Sequence, residues 1–295
     1  MSLTAISIVL ISAVMHATWN LLVRSGRSEL RFIRRMLSSA ALIGLAPAIV
    51  CEFWLGGLGW SIWLLAGASG VCCGVYFLGL GNGYEQSDFT IVYPVARALP
   101  VLMLAAADTL IGRPPSAAGW AGMVLVVIGC LFAPLTSLAD LRLRTYRDGA
   151  IVWMALAACG TVGYSLLDKT AAERLQAAGL TGPGASIRYT YYFFAVAAVV
   201  YAAFLRLNRK SVTDTQPIGL VRPTLAGLIN LAAYSLIVWA MQLTNQVSYI
   251  VACRQFSIVV GVMLAFVIFK ERGRGIRSAA AVLITAGLVL ISLGG

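Results

Sequence analysis

Two arginines, Arg97 and Arg254, interrupt otherwise apolar runs of this 295-residue chain. A cation at membrane depth costs about 2.5–3.5 kcal/mol on insertion scales, so each needs a partner or a wet cavity. Facing a cavity, a guanidinium is a fork of donors that fits a substrate carboxylate or phosphate. Tied instead to backbone carbonyls or a loop acid, it only holds helices together. Asp108, an acid in the same run as Arg97, lies eleven residues on. At 1.5 Å per residue that is about 16 Å along a helix, too far for a direct pair.

His16, Trp19 and Asn20 fall on or near one face of the first apolar run, with His16 and Asn20 four residues apart. A histidine there could take up and release a proton near neutral pH, or stay neutral and bond across helices. Pro94 and Pro100 flank Arg97, and each removes a helical hydrogen bond and crowds the preceding turn, which predicts a kink or break around that arginine. Carbonyls freed in this way are tolerated at membrane depth where they line a cavity. Tyr76, Tyr93, Tyr164 and Tyr234 lie far enough inside their runs to line a cavity and stack on organic solutes, whereas Trp54, Trp60 and Trp63 cluster at a run boundary and read as interfacial anchors. Asp168 and Lys169 fall at the end of a run and read as solvated. No metal-site spacing, cofactor motif or nucleophile–base pairing is present, so neither a catalytic residue nor a cofactor is expected. There is one histidine, and the six cysteines sit in apolar runs as small packing residues. An ATP-driven pump would need a Gly-x-x-x-x-Gly-Lys-Ser/Thr loop, which the sequence lacks.

The elements that must position these residues follow from composition. The chain is 60% hydrophobic and 11% charged, with a mean hydropathy of +0.88. Soluble domains carry about 25% charge. So little polar material cannot cover a water-facing surface, and lipid is the solvent. At about 20 residues per span, the apolar runs are 3–23, 33–54, 61–83, 88–111, 117–135, 149–169, 186–206, 222–243, 248–269 and 276–294, and the first is expected to be a span and not a cleavable leader. The segment from Thr170 to Gly179 favours helix and ends on glycine, so it should extend the sixth helix into water. A net charge of +11 would suggest nucleic acid in a soluble protein, but here the charge sits between apolar runs. Sixteen of the 22 Lys and Arg residues lie in or beside the loops after odd-numbered spans and four beside the even ones. The positive-inside rule then puts the odd loops in the cytoplasm and both termini outside.

The two halves of the chain resemble each other. His16-Ala-Thr-Trp-Asn-Leu-Leu-Val-Arg24 aligns with Thr161-Val-Gly-Tyr-Ser-Leu-Leu-Asp-Lys169, and Tyr93-Pro-Val-Ala-Arg97 aligns with Ile250-Val-Ala-Cys-Arg254. Each half holds five spans, and an odd number inverts the second half relative to the first. Inverted repeats place a transporter's substrate site near the midplane between them.

Spans three to five carry Gly79-x-Gly-Asn-Gly-Tyr84, Ser87-Asp-Phe-Thr-Ile-Val-Tyr-Pro94, Ala98-Leu-Pro100, Gly112-Arg-Pro114 and Gly119-x-x-Gly122 followed by Gly129. The second half has Asn245-Gln-Val-Ser-Tyr-Ile-Val251, Lys270-Glu-Arg272 and Gly287. This pattern resembles the drug/metabolite transporter superfamily, specifically its ten-helix EamA-type members. A family turn often carries Glu after the fourth span, where this chain has Arg113 and Pro114. The resemblance implies an all-α membrane protein of two inverted five-helix repeats, 1–140 and 141–295, in a bacterial inner membrane, exporting metabolites and most of all amino acids. It also aligns His16 with an essential first-span glutamate of the superfamily's smaller multidrug exporters, which would make it a proton-coupling residue. The expected partners are a small-molecule substrate and the bilayer, with the chain acting as a monomer. Paired arginines also suit an organophosphate or nucleotide-sugar exchanger, and a non-transport membrane subunit is the reading from another class.

Overall fold

The computed structural model describes residues 1–24, 29–86, 89–133, 135, 150–207, 219–268 and 274–294. Among them the regular structure is helical: α1 (Leu3–Arg24), α2 (Glu29–Trp54), α3 (Trp60–Gln86), α4 (Phe89–Leu110), α5 (Ala117–Phe132), α6 (Ala150–Ala177), α7 (Gly182–Leu207), α8 (Val221–Gln242), α9 (Val247–Arg254), α10 (Phe256–Ile268) and α11 (Arg274–Gly294). Apolar residues on every face leave helix as the arrangement that satisfies backbone N–H and C=O groups without water. Among the described residues eight stretches are long and apolar enough to cross a membrane: α1, α2, α3, α6, α7, α8, the α9–α10 pair and α11. α5 is apolar but shorter, at 16 residues. Outward positions such as Leu42, Phe53, Val199 and Val282 are 66–83% exposed, an apolar exterior suited to lipid.

Packing rests on small residues that let backbones touch. A Cβ on Gly79 of α3 would stand 2.6 Å from the Trp153 carbonyl oxygen and the Ala157 nitrogen of α6, and one on Gly160 of α6 would meet the Cys72 carbonyl oxygen of α3 at 2.7 Å. Gly122 of α5 and Gly287 of α11 meet in the same way, each against the other's carbonyl. The main contacts pair α3 with α6 and α7, α8 with α1 and α2, α4 with α6, and α1 with α10 and α9. α5 packs on α11, α2 on α7 and α4 on α9.

Two local expectations need correcting. Pro94 and Pro100 do not break their helix, because α4 runs unbroken from Phe89 to Leu110. A missing hydrogen bond can be absorbed by bending without ending a helix. The break lies at the aligned position of the second half, where α9 ends at Arg254 and α10 starts at Phe256. Nor are Asp168 and Lys169 solvated. α6 continues to Ala177 and turns at Gly179 with φ +75°, where the Leu180 N–H closes on the Leu175 carbonyl at 2.9 Å. The helix does extend beyond residue 169, and that extension carries both charged residues into the protein, at 0% and 6% exposure.

Candidate functional site

Four helices stack side chains at i, i+4 spacing toward one region: Ser69, Cys73 and Phe77 on α3, Tyr164 and Asp168 on α6, Tyr189 and Phe193 on α7, and Asn230 and Tyr234 on α8. With Trp19 of α1 and Arg254 of α9 they form an aromatic chamber. It is lined by Trp19, Cys73, Tyr76, Phe77, Tyr164, Phe193, Phe194, Asn230, Tyr234 and Arg254. Its free space is about 10 Å³, room for about one water, so a solute enters only if the helices part.

The rings form a continuous wall. Tyr164 makes edge contacts with Tyr76 at 5.9 Å, Phe193 at 5.9 Å and Tyr234 at 5.8 Å, while Phe193 and Tyr234 stack at 5.1 Å with 12° between planes. The Arg254 guanidinium lies over the Tyr234 ring, 5.3 Å from its centroid. A cation on a desolvated aromatic face is worth about 0.5–2 kcal/mol, which offsets part of the burial cost and leaves the guanidinium's N–H fork for another acceptor. Among the described residues, no carboxylate lies in ion-pair contact with Arg254.

Behind that wall lies Asp168, fully buried. Its carboxylate accepts hydrogen bonds from the hydroxyls of Ser69, of Tyr189 at 2.7 Å and of Tyr234. Tyr234 therefore has two roles: its ring lies under the cation, and its hydroxyl is on the carboxylate.

Five residues expected to form the site, Trp19, Tyr76, Tyr164, Tyr234 and Arg254, come together here. The others separate from it. Arg97 donates to Gln255 Oε1 at 3.3 Å, and the Gln255 amide returns a bond to the Arg97 carbonyl at 3.2 Å, tying α4 to the break between α9 and α10. Asn20 bonds back along α1 to the His16 carbonyl at 2.7 Å. His16 is buried, and its Nδ1 accepts from the Trp19 indole N–H at 2.9 Å. A nitrogen that accepts carries no proton, so this imidazole is neutral with its hydrogen on Nε2. Pro100 is buried in α4. The side chains of Arg24, Tyr93 and Pro94, and the turn Lys270-Glu-Arg272, lie outside the described residues. Asp168, Asn230, Phe193 and Phe194 were missed. The i, i+4 spacing of Tyr164 with Asp168 and of Asn230 with Tyr234 is the available signal, masked for Asp168 because a charge one residue from the end of an apolar run reads as solvated.

Polar contacts join the helices at one end of the bundle, where α2, α4, α6 and α8 end. Lys169 donates to the Met241 and Thr244 carbonyls at the C-terminus of α8 and reaches Glu173 at 3.2 Å. Arg113 of the α4–α5 turn meets the same Glu173 at 2.5 Å. Asp108 caps α9 by accepting from the Ser248 N–H at 2.8 Å, and the Tyr249 hydroxyl accepts from the Ser116 N–H at 2.9 Å. Arg188 of α7 pairs with Glu52 of α2 at 3.0 Å.

A solved crystal structure superposes on the chain with a TM-score of 0.71, over 99% of this chain and 98% of that one, at 18% sequence identity. That likeness shows a shared fold. No family model matches the sequence. A search of curated proteins gave no match.

Proposed function

We propose that this protein is a secondary transporter that exports small amphipathic metabolites, amino acids foremost, from a bacterial cell by alternating access. The chamber carries the reading: a ring of aromatic side chains with one guanidinium, built from α1, α3, α6, α7, α8 and α9, inside helices apolar enough to cross a bilayer. An aromatic wall accepts an apolar side chain, and the guanidinium accepts a carboxylate. Among the described residues a single cation, Arg254, lines the chamber, while Arg97 is engaged by Gln255. That favours a monocarboxylate over the more highly charged organophosphates.

Ten spans in two inverted five-helix repeats, the plan of the EamA-type drug/metabolite transporters, is the architecture proposed. It takes α4 and α5 as spans beside the eight stretches above. Matched packing supports it: α6 on α3 answers α1 on α8, α7 on α3 answers α2 on α8, and α4 on α6 answers α9–α10 on α1. The pairs α5–α11, α2–α7 and α4–α9 are what a two-fold relation between the halves would make self-matched. The chain would act as a monomer in the inner membrane, with its odd loops cytoplasmic.

The test is efflux of a panel of amino acids and phosphorylated sugars from proteoliposomes. Saturable amino-acid efflux whose KM rises in Arg254→Ala is expected. Transport of no amino acid would remove the leading substrate. A reporter fused after Gly295 should be active only outside the cytoplasm, and activity inside would reverse the orientation.

A further inference from the structure

We propose that Asp168 is a proton-binding site whose occupancy is coupled to the chamber through Tyr234. This rests on the transport reading. The carboxylate is 0% exposed and well inside α6, nine residues from its C-terminal end at Ala177. An ionisable group at such depth is costly as a bare ion and is functional by default. Three hydroxyls from three other helices, Ser69 of α3, Tyr189 of α7 and Tyr234 of α8, converge on it. A hydroxyl can donate to a carboxylate or turn to accept from a carboxylic acid, so the same three groups satisfy either form. Structural burial alone would be met by pairing with a base. Lys169, one residue on, instead points to the end of α8 and Glu173.

The charged and titratable groups around Asp168 are few. α3 brings the thiols of Cys72 and Cys73, α7 and α8 bring the phenols of Tyr189 and Tyr234, and α9 brings Arg254. His16, the histidine expected to carry the proton, is neutral and engaged by Trp19. The coupling runs through one side chain. The Tyr234 ring lies under Arg254, and its hydroxyl holds Asp168. An amino acid that places its carboxylate on Arg254 displaces the contact between that cation and the ring and brings its ammonium toward the carboxylate behind it. Solute and proton then exclude each other. An O–H bond forms on Asp168 when the proton arrives from one aqueous phase, and it breaks on the other side when solute takes its place.

Two measurements test this. Infrared titration of the purified protein should show a protonated-carboxyl band that fades with rising pH and is missing from the band set of Asp168→Asn. Tyr189→Phe, a smaller change that removes one of the three hydroxyl partners, should move the pH at which the band fades without abolishing it. In proteoliposomes with a trapped pH dye, phenylalanine leaving the vesicles should drive protons inward, Tyr189→Phe should shift the pH dependence of that proton uptake, and Asp168→Asn should move no protons with whatever phenylalanine it still carries. The proposal is overturned if the titrating bands of wild type and Asp168→Asn are identical, or if the variant still moves protons. A band that titrates and depends on Asp168, without flux of any solute, would leave the proton site standing and overturn the transport reading instead. Flux with no such band would do the reverse.

Discussion

At the scale of single residues, the two intramembrane arginines have different surroundings, and their substitutions should have different effects. Arg254 lines the chamber with its guanidinium over Tyr234. A charge-assisted hydrogen bond is worth about 1.5–3 kcal/mol, so Arg254→Ala should raise the KM for an amino acid by about tenfold or more with the fold intact. Arg97→Ala removes the link to Gln255 and should lower thermal stability more than solute affinity. Equal effects of the two on KM would put both in the binding site. His16→Ala leaves the Trp19 indole N–H without its partner, a loss of about 1–3 kcal/mol for a buried donor, and should lower the melting temperature while leaving the pH profile of transport unchanged. Sequence alone separated these residues poorly. An arginine in an apolar run announces that it needs a partner, but the partner of Arg97 is an uncharged glutamine 158 positions away, which no spacing rule reaches. Asp168 was hidden for a simpler reason, because a charge near the predicted end of a span looks solvated until the helix is known to continue.

At the scale of helices, what was legible was what depends on local composition. The apolar runs became helices in order, and the glycine at 179 ends α6 as a left-handed residue should. What was not legible was where a helix breaks. Two prolines in α4 leave it unbroken, whereas the chain from Arg254 to Phe256 breaks with neither proline nor glycine. The amide of Gln255 is held by Arg97 from another helix, so tertiary contact outweighs local propensity there. The glycines make a sharper test. Gly160 faces the α3 backbone, with the Cys72 carbonyl and the Tyr76 nitrogen at 2.7 and 2.8 Å from a built Cβ. Gly160→Leu should therefore separate α3 from α6 and destabilise by about 1–3 kcal/mol or more, read as a lower melting temperature in detergent. Gly67 has nothing within 4 Å. Gly67→Ala should leave the melting temperature unchanged or raise it slightly, because alanine is the better helix former.

At the scale of the whole molecule, the ion pairs described between helices, Arg113–Glu173 and Arg188–Glu52, share one end of the bundle with Lys169 and Asp108. Arg113 and Glu173 have side chains 38% and 37% exposed, so mobile ions reach that pair. Screening at physiological ionic strength acts over about 8 Å, and surface pairs contribute only about 0–1 kcal/mol each. On the proposed function and orientation, this cluster of contacts is sensitive to the composition of one compartment and not the other. Raising salt only on the face that carries Arg113 should loosen it and speed solute exchange at that face, while the same salt on the opposite face does nothing comparable. Sided stopped-flow efflux would read the difference. On the proposed function and orientation, the salt outside the cell would then set how readily that end opens.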